Sequence, residues 1–95
     1  MPDDEREPDA VEQLIGRAVV LDMTSPFICL GTLQGQDHRY LVLEDADVHD
    51  LRDTHTTREL YALESKRHGV HPNRKRVLIR REEIVGISAL DDVVE

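Results

Sequence analysis

Five short runs of aliphatic and β-branched residues, each bounded by polar or turn-forming residues, constrain this 95-residue chain more than any other feature. They are RAVVLDM at 17–23, FICLGTLQG at 27–35, RYLVLEDA at 39–46, RVLIR at 76–80 and EIVGISAL at 83–90. In the first, Val19, Leu21 and Met23 alternate onto one face, and Thr24-Ser25-Pro26 breaks the pattern before the second run begins. Gly31 and Gly35 inside the second run predict a strong bend or bulge, which a small closed barrel needs and a flat sheet does not. The pattern is that of a mostly β domain with five strands. With 39% hydrophobic residues and aromatics limited to one Phe and two Tyr, its core is thin, and self-association is an expected source of further burial.

Two stretches carry a helical signature instead. In DAVEQLI at 9–15, Asp9 serves as N-cap with Glu12 three residues later, Val11, Leu14 and Ile15 fall at helical spacing, and Gly16 ends the element. Residues 47–75 interrupt the strand rhythm with a longer helix at 57–68. There Thr56 and Glu59 form a capping box, and Leu60 and Leu63 mark the apolar stripe. Lys66, Arg67 and His68 suit the negative end of the dipole, Gly69 the C′ position, and Pro72 follows. Marked at both ends, this insertion reads as a self-contained excursion that projects from the barrel and offers a surface to a protein partner. Residues 1–8, with Pro2 and Pro8 and no apolar periodicity, read as a disordered acidic tail ahead of one domain at 9–95.

The formal net charge of −8 is unevenly spread. Acids crowd residues 3–12 and 44–53, whereas 66–81 holds Lys66, Arg67, Arg74, Lys75, Arg76, Arg80 and Arg81, with His68 and His71, and no acid. Such a block focuses a local positive field on an anion, because distant charges are screened by salt; its bland counterpart is a solvated loop pairing with nearby acids. No run approaches the roughly 20 apolar residues of a membrane span, and MPDDEREPDA is acidic where a targeting peptide would be basic, so a cytoplasmic protein is expected. The single cysteine, Cys29 in PFICLG, reads as a small core residue.

Chemistry-bearing constellations are sparse. His68 and His71, and the group Asp45, Asp47, His49, Asp50, Asp53 and His55, supply metal donors at no recognised ligand spacing, so no metal or cofactor is expected. A spaced nucleophile and base and a glycine-rich phosphate loop are both missing from the sequence, and the carboxylates sit in solvated runs, so an enzyme is not expected.

The order of elements and two motifs resemble the Sm-like family. GTLQGQDHRYLVLEDA is similar to the first Sm motif through Gly31, Leu33, Asp37 and Leu41 to Ala46, and VLIRREEIVGIS to the second, an isoleucine-arginine-glycine turn followed by a strand. The match covers about 9–46 and 76–90. The resemblance implies a short N-terminal helix on a strongly bent five-stranded antiparallel sheet, here with a helical insertion between strands 3 and 4. It also implies a homo-oligomeric ring in which the fourth strand of one subunit pairs with the fifth of the next. Single-stranded, often uridine-rich RNA is then held at the inner rim. Arg80 matches the arginine of the second motif, and Arg81 stands where the family has glycine. The turn is one residue shorter than usual, and His38, Arg39 and Tyr40 replace the family's methionine-asparagine pair, so the base-bonding asparagine is missing. The RNA site so implied consists of Asp37, His38, Arg39, Tyr40, Arg80 and Arg81. His38 or Tyr40 would stack on a base, Arg39 or Arg80 would contact phosphate or a base edge, and Asp37 would orient a neighbour. The bland reading makes Tyr40 a cap on the barrel, Asp37 an ordinary turn residue and the arginines partners of Glu82, Glu83 or the insertion's acids. The acidic balance and the missing asparagine support a second function, an oligomeric scaffold or protein-interaction module that binds no RNA.

Overall fold

Alternation in the first two runs produces an antiparallel pair, β1 (Ala18–Met23) and β2 (Phe27–Gln36), with Leu21 opposite Cys29. The computed structural model describes residues 9–95, so the expected acidic tail at 1–8 lies outside the described residues. β3 (Tyr40–Asp50) lies along β2, β4 (Arg74–Arg80) along β3, and β5 (Ile84–Ala89) returns to β1, giving one antiparallel sheet of order β4-β3-β2-β1-β5.

The bend comes from two register shifts in the β2–β3 ladder. Between Leu30 and Thr32 the extra residue lies on β3, and between Leu33 and Gly35 it lies on β2. At the first shift Asp45 takes φ 49°, a left-handed conformation that aspartate tolerates better than most residues. Opposite it, a Cβ on Gly31 would meet the Glu44 carbonyl oxygen at 3.0 Å and the Ala46 Cα at 3.1 Å. Gly31 is therefore fixed by the close approach of two backbones. Gly35, by contrast, has open space around it.

One face of the bent sheet closes over Val19, Leu21, Cys29, Leu33, Leu41, Leu43, Ala46 and Ile79, with Val11 and Leu14 packed against them. The helix expected at 9–15 is here a single 3-10 turn, Glu12–Leu14. Its N-cap is Val11 rather than the expected Asp9, whose carboxylate nevertheless accepts the Glu12 N–H at 2.7 Å, and Gly16 at φ 89° turns the chain so that its N–H reaches the Leu33 carbonyl at 2.7 Å. Burial of Cys29 in this core, helped by the nearby Asp47 charge, pushes its thiol up to about 11.

The other face carries Val20, Ile28 and Leu30, which pack with Ala62 and Leu90. This corrects the expectation of a projecting insertion: α1 (Arg58–His68) lies on the sheet. β3 runs on to Asp50 and β4 begins at Arg74, so the chain leaves the sheet over 51–73 rather than 47–75. The N-cap is Thr57 rather than Thr56, its hydroxyl accepting from the Leu60 N–H at 3.1 Å. The docking stripe is Arg58, Tyr61, Ala62 and Ser65 instead of Leu60 and Leu63; Leu60 is 47% exposed. Arg58 Nη1 donates to the Phe27 carbonyl at 2.7 Å and its Nη2 to that of Ser25. The Tyr61 hydroxyl donates to the buried Asp47, and its ring stacks on His49 with centroids 4.1 Å apart. Burial, then this bond to a carboxylate, raises the phenol well above its usual range. Asn73 pins the return to β4, donating to the Val48 carbonyl at 2.9 Å and accepting from the Val48 N–H at 3.0 Å.

Removing the Tyr61 hydroxyl leaves Asp47 buried with, among the described residues, only Asn73, at 3.5 Å, as a side-chain donor. Tyr61→Phe should therefore cost about 1–3 kcal/mol, seen as a lower urea midpoint at unchanged slope. Leu60→Ala, on the solvent side of the same helix, should move the midpoint far less. Equal shifts for the two variants would place the helix's anchor elsewhere.

Candidate nucleic-acid interface

The turn between β2 and β3 organises one end of the sheet. Asp37 holds it: its Oδ1 accepts the Arg39 N–H at 2.8 Å and the Tyr40 N–H at 2.7 Å, while its own N–H donates to the Tyr40 carbonyl at 2.9 Å. These backbone donors, first Arg39 and then Tyr40, hold the Asp37 carboxyl below its ordinary value. The carboxylate is thus occupied inside its own turn, as the bland reading expected.

Arg81 braces the same turn from the other side. It opens the 3-10 turn Arg81–Glu83 between β4 and β5. Its N–H donates to the Arg39 carbonyl at 2.8 Å, and its Nη1 donates to Gln36 Oε1 and, at 3.2 Å, to the Asp37 carbonyl. Glycine is not needed at this place, because among the described residues only Asp45 and His55 are non-glycine residues with positive φ. Gln36, which the motifs did not single out, joins this lattice, its amide reaching Asp9 Oδ1 at 3.5 Å. A polar side chain closing a strand next to a tight turn is the one signal that marked it.

Arg80 has a different setting. It stands directly across the ladder from Tyr40, and the two, with Arg39 and Glu82, line a recess. Its side chain is 62% exposed and has one ion-pair partner among the described residues, Glu82 at 3.5 Å. An exposed pair at that distance is weak. Arg80 is therefore available, and half-buried Tyr40 presents a ring beside it. His38 lies apart from this recess, lining a second one with Asp37, Arg81, Gln36 and the acids Asp9 and Glu12. All six site residues expected from sequence gather at one end of the sheet. Arg39, Tyr40 and Arg80 share one recess, whereas Asp37 and Arg81 build the turn and His38 faces an acid-lined hollow.

The basic block divides too. Lys66 donates to the Val93 carbonyl at 2.6 Å, Arg67 pairs with Glu95, and His68 lies 3.2 Å from Glu64, so the side chains at the end of α1 serve the helix itself and the C-terminal segment. Arg74, Lys75 and Arg76 remain exposed along β4, leading towards Arg80. Among the described residues no three His, Cys, Asp or Glu side chains stand together as a metal set, and no helix is long and apolar enough to cross a membrane.

Several solved structures resemble the chain in overall fold. An Sm protein of Pyrococcus abyssii, solved in complex with a uridine heptamer, superposes with a TM-score of 0.60 at 21% identity, covering 88% of this chain and 99% of that one. The P. aerophilum SmAP1 heptamer gives 0.52 at 20% identity, with 83% and 85% covered. The chain carries the Sm fold. A chain of the NatC complex bound to CoA is also similar, with a TM-score of 0.56 at 15% identity and coverage of 94% and 100%. No family model and no curated protein matches by sequence.

Since Asp37 and Arg81 carry the turn, Arg81→Ala should speed amide exchange at Arg39 and Tyr40, whereas Arg80→Ala should leave both protected. Acid has the same target. A carboxyl held below 3.8 supports the fold fully above that pH and loses its contribution as pH falls through the depressed value, so Arg39 and Tyr40 protection should survive at neutral pH and fade only in strong acid. Fading already at about pH 6, far above any carboxylate's ordinary range, would show that another group holds the turn.

Proposed function

We propose that the chain forms a homo-oligomeric ring that holds single-stranded RNA, uridine-rich as in the Pyrococcus abyssii complex, against Tyr40, Arg80 and Arg39 at the inner rim. One observation carries the reading: an aromatic ring and an unburied arginine stand as cross-strand partners in one recess, with a second arginine beside them. That pairing offers a stacking surface and a cation for phosphate or a base edge at one nucleotide's spacing. The ring is supported by the two sheet edges, where Leu78 on β4 is 52% and Val85 on β5 71% exposed, and by the heptameric assembly of the P. aerophilum protein. Binding rather than catalysis is the activity in this reading, and the cytoplasm its setting.

The test is binding of a short labelled uridine oligonucleotide at low salt. Arg80→Ala should weaken it, with oligomer mass unchanged, and flatten the salt dependence by about 0.7 for each phosphate that the variant no longer neutralises. Tyr40→Ala should cost roughly 1–3 kcal/mol while leaving that slope nearly intact, because stacking releases no counterions. A ring that binds no single-stranded RNA at about 50 mM salt, where counterion release favours binding most, would end this reading. The second reading, a protein-interaction module, is favoured by the likeness to a chain of the NatC complex and by the carboxylate of Glu82 inside the recess.

A further inference from the structure

The recess shared by Arg39, Tyr40 and Arg80 also holds a carboxylate, that of Glu82. Its two neighbours in the 3-10 turn both have structural tasks. Arg81 braces the Asp37 turn, whereas Glu83 accepts the Thr24 hydroxyl at 2.8 Å and, through its carbonyl, the Thr24 N–H at 2.8 Å. Glu82 is carried between these anchors with 83% of its side chain exposed, and its one side-chain partner among the described residues is Arg80 at 3.5 Å. A negative charge at this place repels phosphate, so it adds nothing to the affinity of a polyanion. In an RNA site it has a use only towards a base edge that presents N–H donors.

We infer that Glu82, with Arg80 beside it, reads the Watson–Crick edge of the base seated in this recess and selects guanine there. The inference rests on the RNA reading of the recess and adds which base enters it. Bases differ in what they set against a carboxylate. Guanine presents two adjacent donors, N1–H and the N2 amino group, which match the two carboxylate oxygens, and the acceptor O6 stands next to them for an arginine. Uracil presents one donor, N3–H, between two carbonyl oxygens that the carboxylate repels. Adenine and cytosine each set an amino group beside a ring-nitrogen acceptor, and so make one bond to Glu82 in place of two. The Arg80 guanidinium has five N–H donors, so holding Glu82 leaves others for O6 and for phosphate. Tyr40 offers a stacking face on which any base can lie, which brings affinity without choice. The choice falls to Glu82. The RNA that suits the recess is a single strand, uridine-rich elsewhere, with guanosine at the position beside Tyr40.

Competition between labelled oligonucleotides at low salt tests this. A uridine oligonucleotide carrying one guanosine should bind about tenfold more tightly than the all-uridine strand, within the discrimination that one bidentate pair gives. Inosine at the same position lacks the N2 amino group and should lose most of that gain. Glu82→Gln should strengthen binding of every strand, because a charge that repels phosphate is gone, and should abolish the preference for guanosine. Its amide offers one donor and one acceptor, which suit O4 and N3–H of uracil. Glu82 is an exposed residue, and an unchanged circular dichroism spectrum confirms the fold of the variant. Equal affinity for the guanosine and inosine strands, or a guanosine preference that survives Glu82→Gln, would overturn the assignment while leaving RNA binding in place. Failure of the wild type to bind any of the strands would remove the RNA reading and the assignment together.

Discussion

The contact on which the rest depends is the approach of the β3 backbone to Gly31. With a Cβ excluded there, β3 passes over β2 closely enough for Ala46 to reach the core, and the left-handed turn at Asp45 absorbs the extra residue. The sheet then bends sharply, and one strand can serve two cores. Val19 and Leu21 of β1 face the first, while Val20 faces the second. A flat five-stranded sheet of this length would leave one of those faces to solvent.

The second core needs a cover, and α1 provides it with little apolar surface of its own. Ala62 and Ser65 let the helix lie close, Tyr61 packs half-buried against the same core, and Arg58 ties the helix start to the carbonyls of Ser25 and Phe27. Polar bonds replace the apolar stripe that ordinarily docks a helix. Asp47 is buried because Tyr61 and Asn73 satisfy it, which makes the anchoring specific as well as stabilising. The C-terminal segment then lies along the helix, held by Lys66 and Arg67, so the last turn of α1 is tied on both sides.

This explains which parts of the fold were legible in sequence. The strands were, because alternation and β-branching are local signals, and so was the bend, because two glycines stood where a flat strand would reject them. The ends of α1 were readable to within one residue, through Thr56, next to the actual cap Thr57, and through Gly69. Its docking face was not: Leu60 and Leu63 follow the hydrophobic rule, whereas the helix is held by an arginine, a tyrosine and two small residues whose partners are remote in sequence. Within the site, the cluster at one end of the sheet was legible because the motifs place it there. Its division into two recesses was not, because it depends on which carbonyls the Arg81 guanidinium meets across the turn.

Two adjacent arginines in VLIRREEIVGIS take separate tasks, and geometry assigns them. Arg80 closes β4 with its side chain on the exposed side, whereas Arg81 starts a 3-10 turn that brings its guanidinium back over Gln36 and Asp37. Fixing Arg81 orders the Asp37 turn, and the ordered turn sets the backbone of Tyr40, which faces Arg80 across the ladder. The braced arginine thus positions the ring beside the exposed one. In the proposed RNA site, a lone arginine at this turn would have to choose between bracing the turn and meeting the RNA, because a guanidinium held by a backbone carbonyl and an amide oxygen retains few donors for an anion. The pair resolves that conflict locally, within one turn.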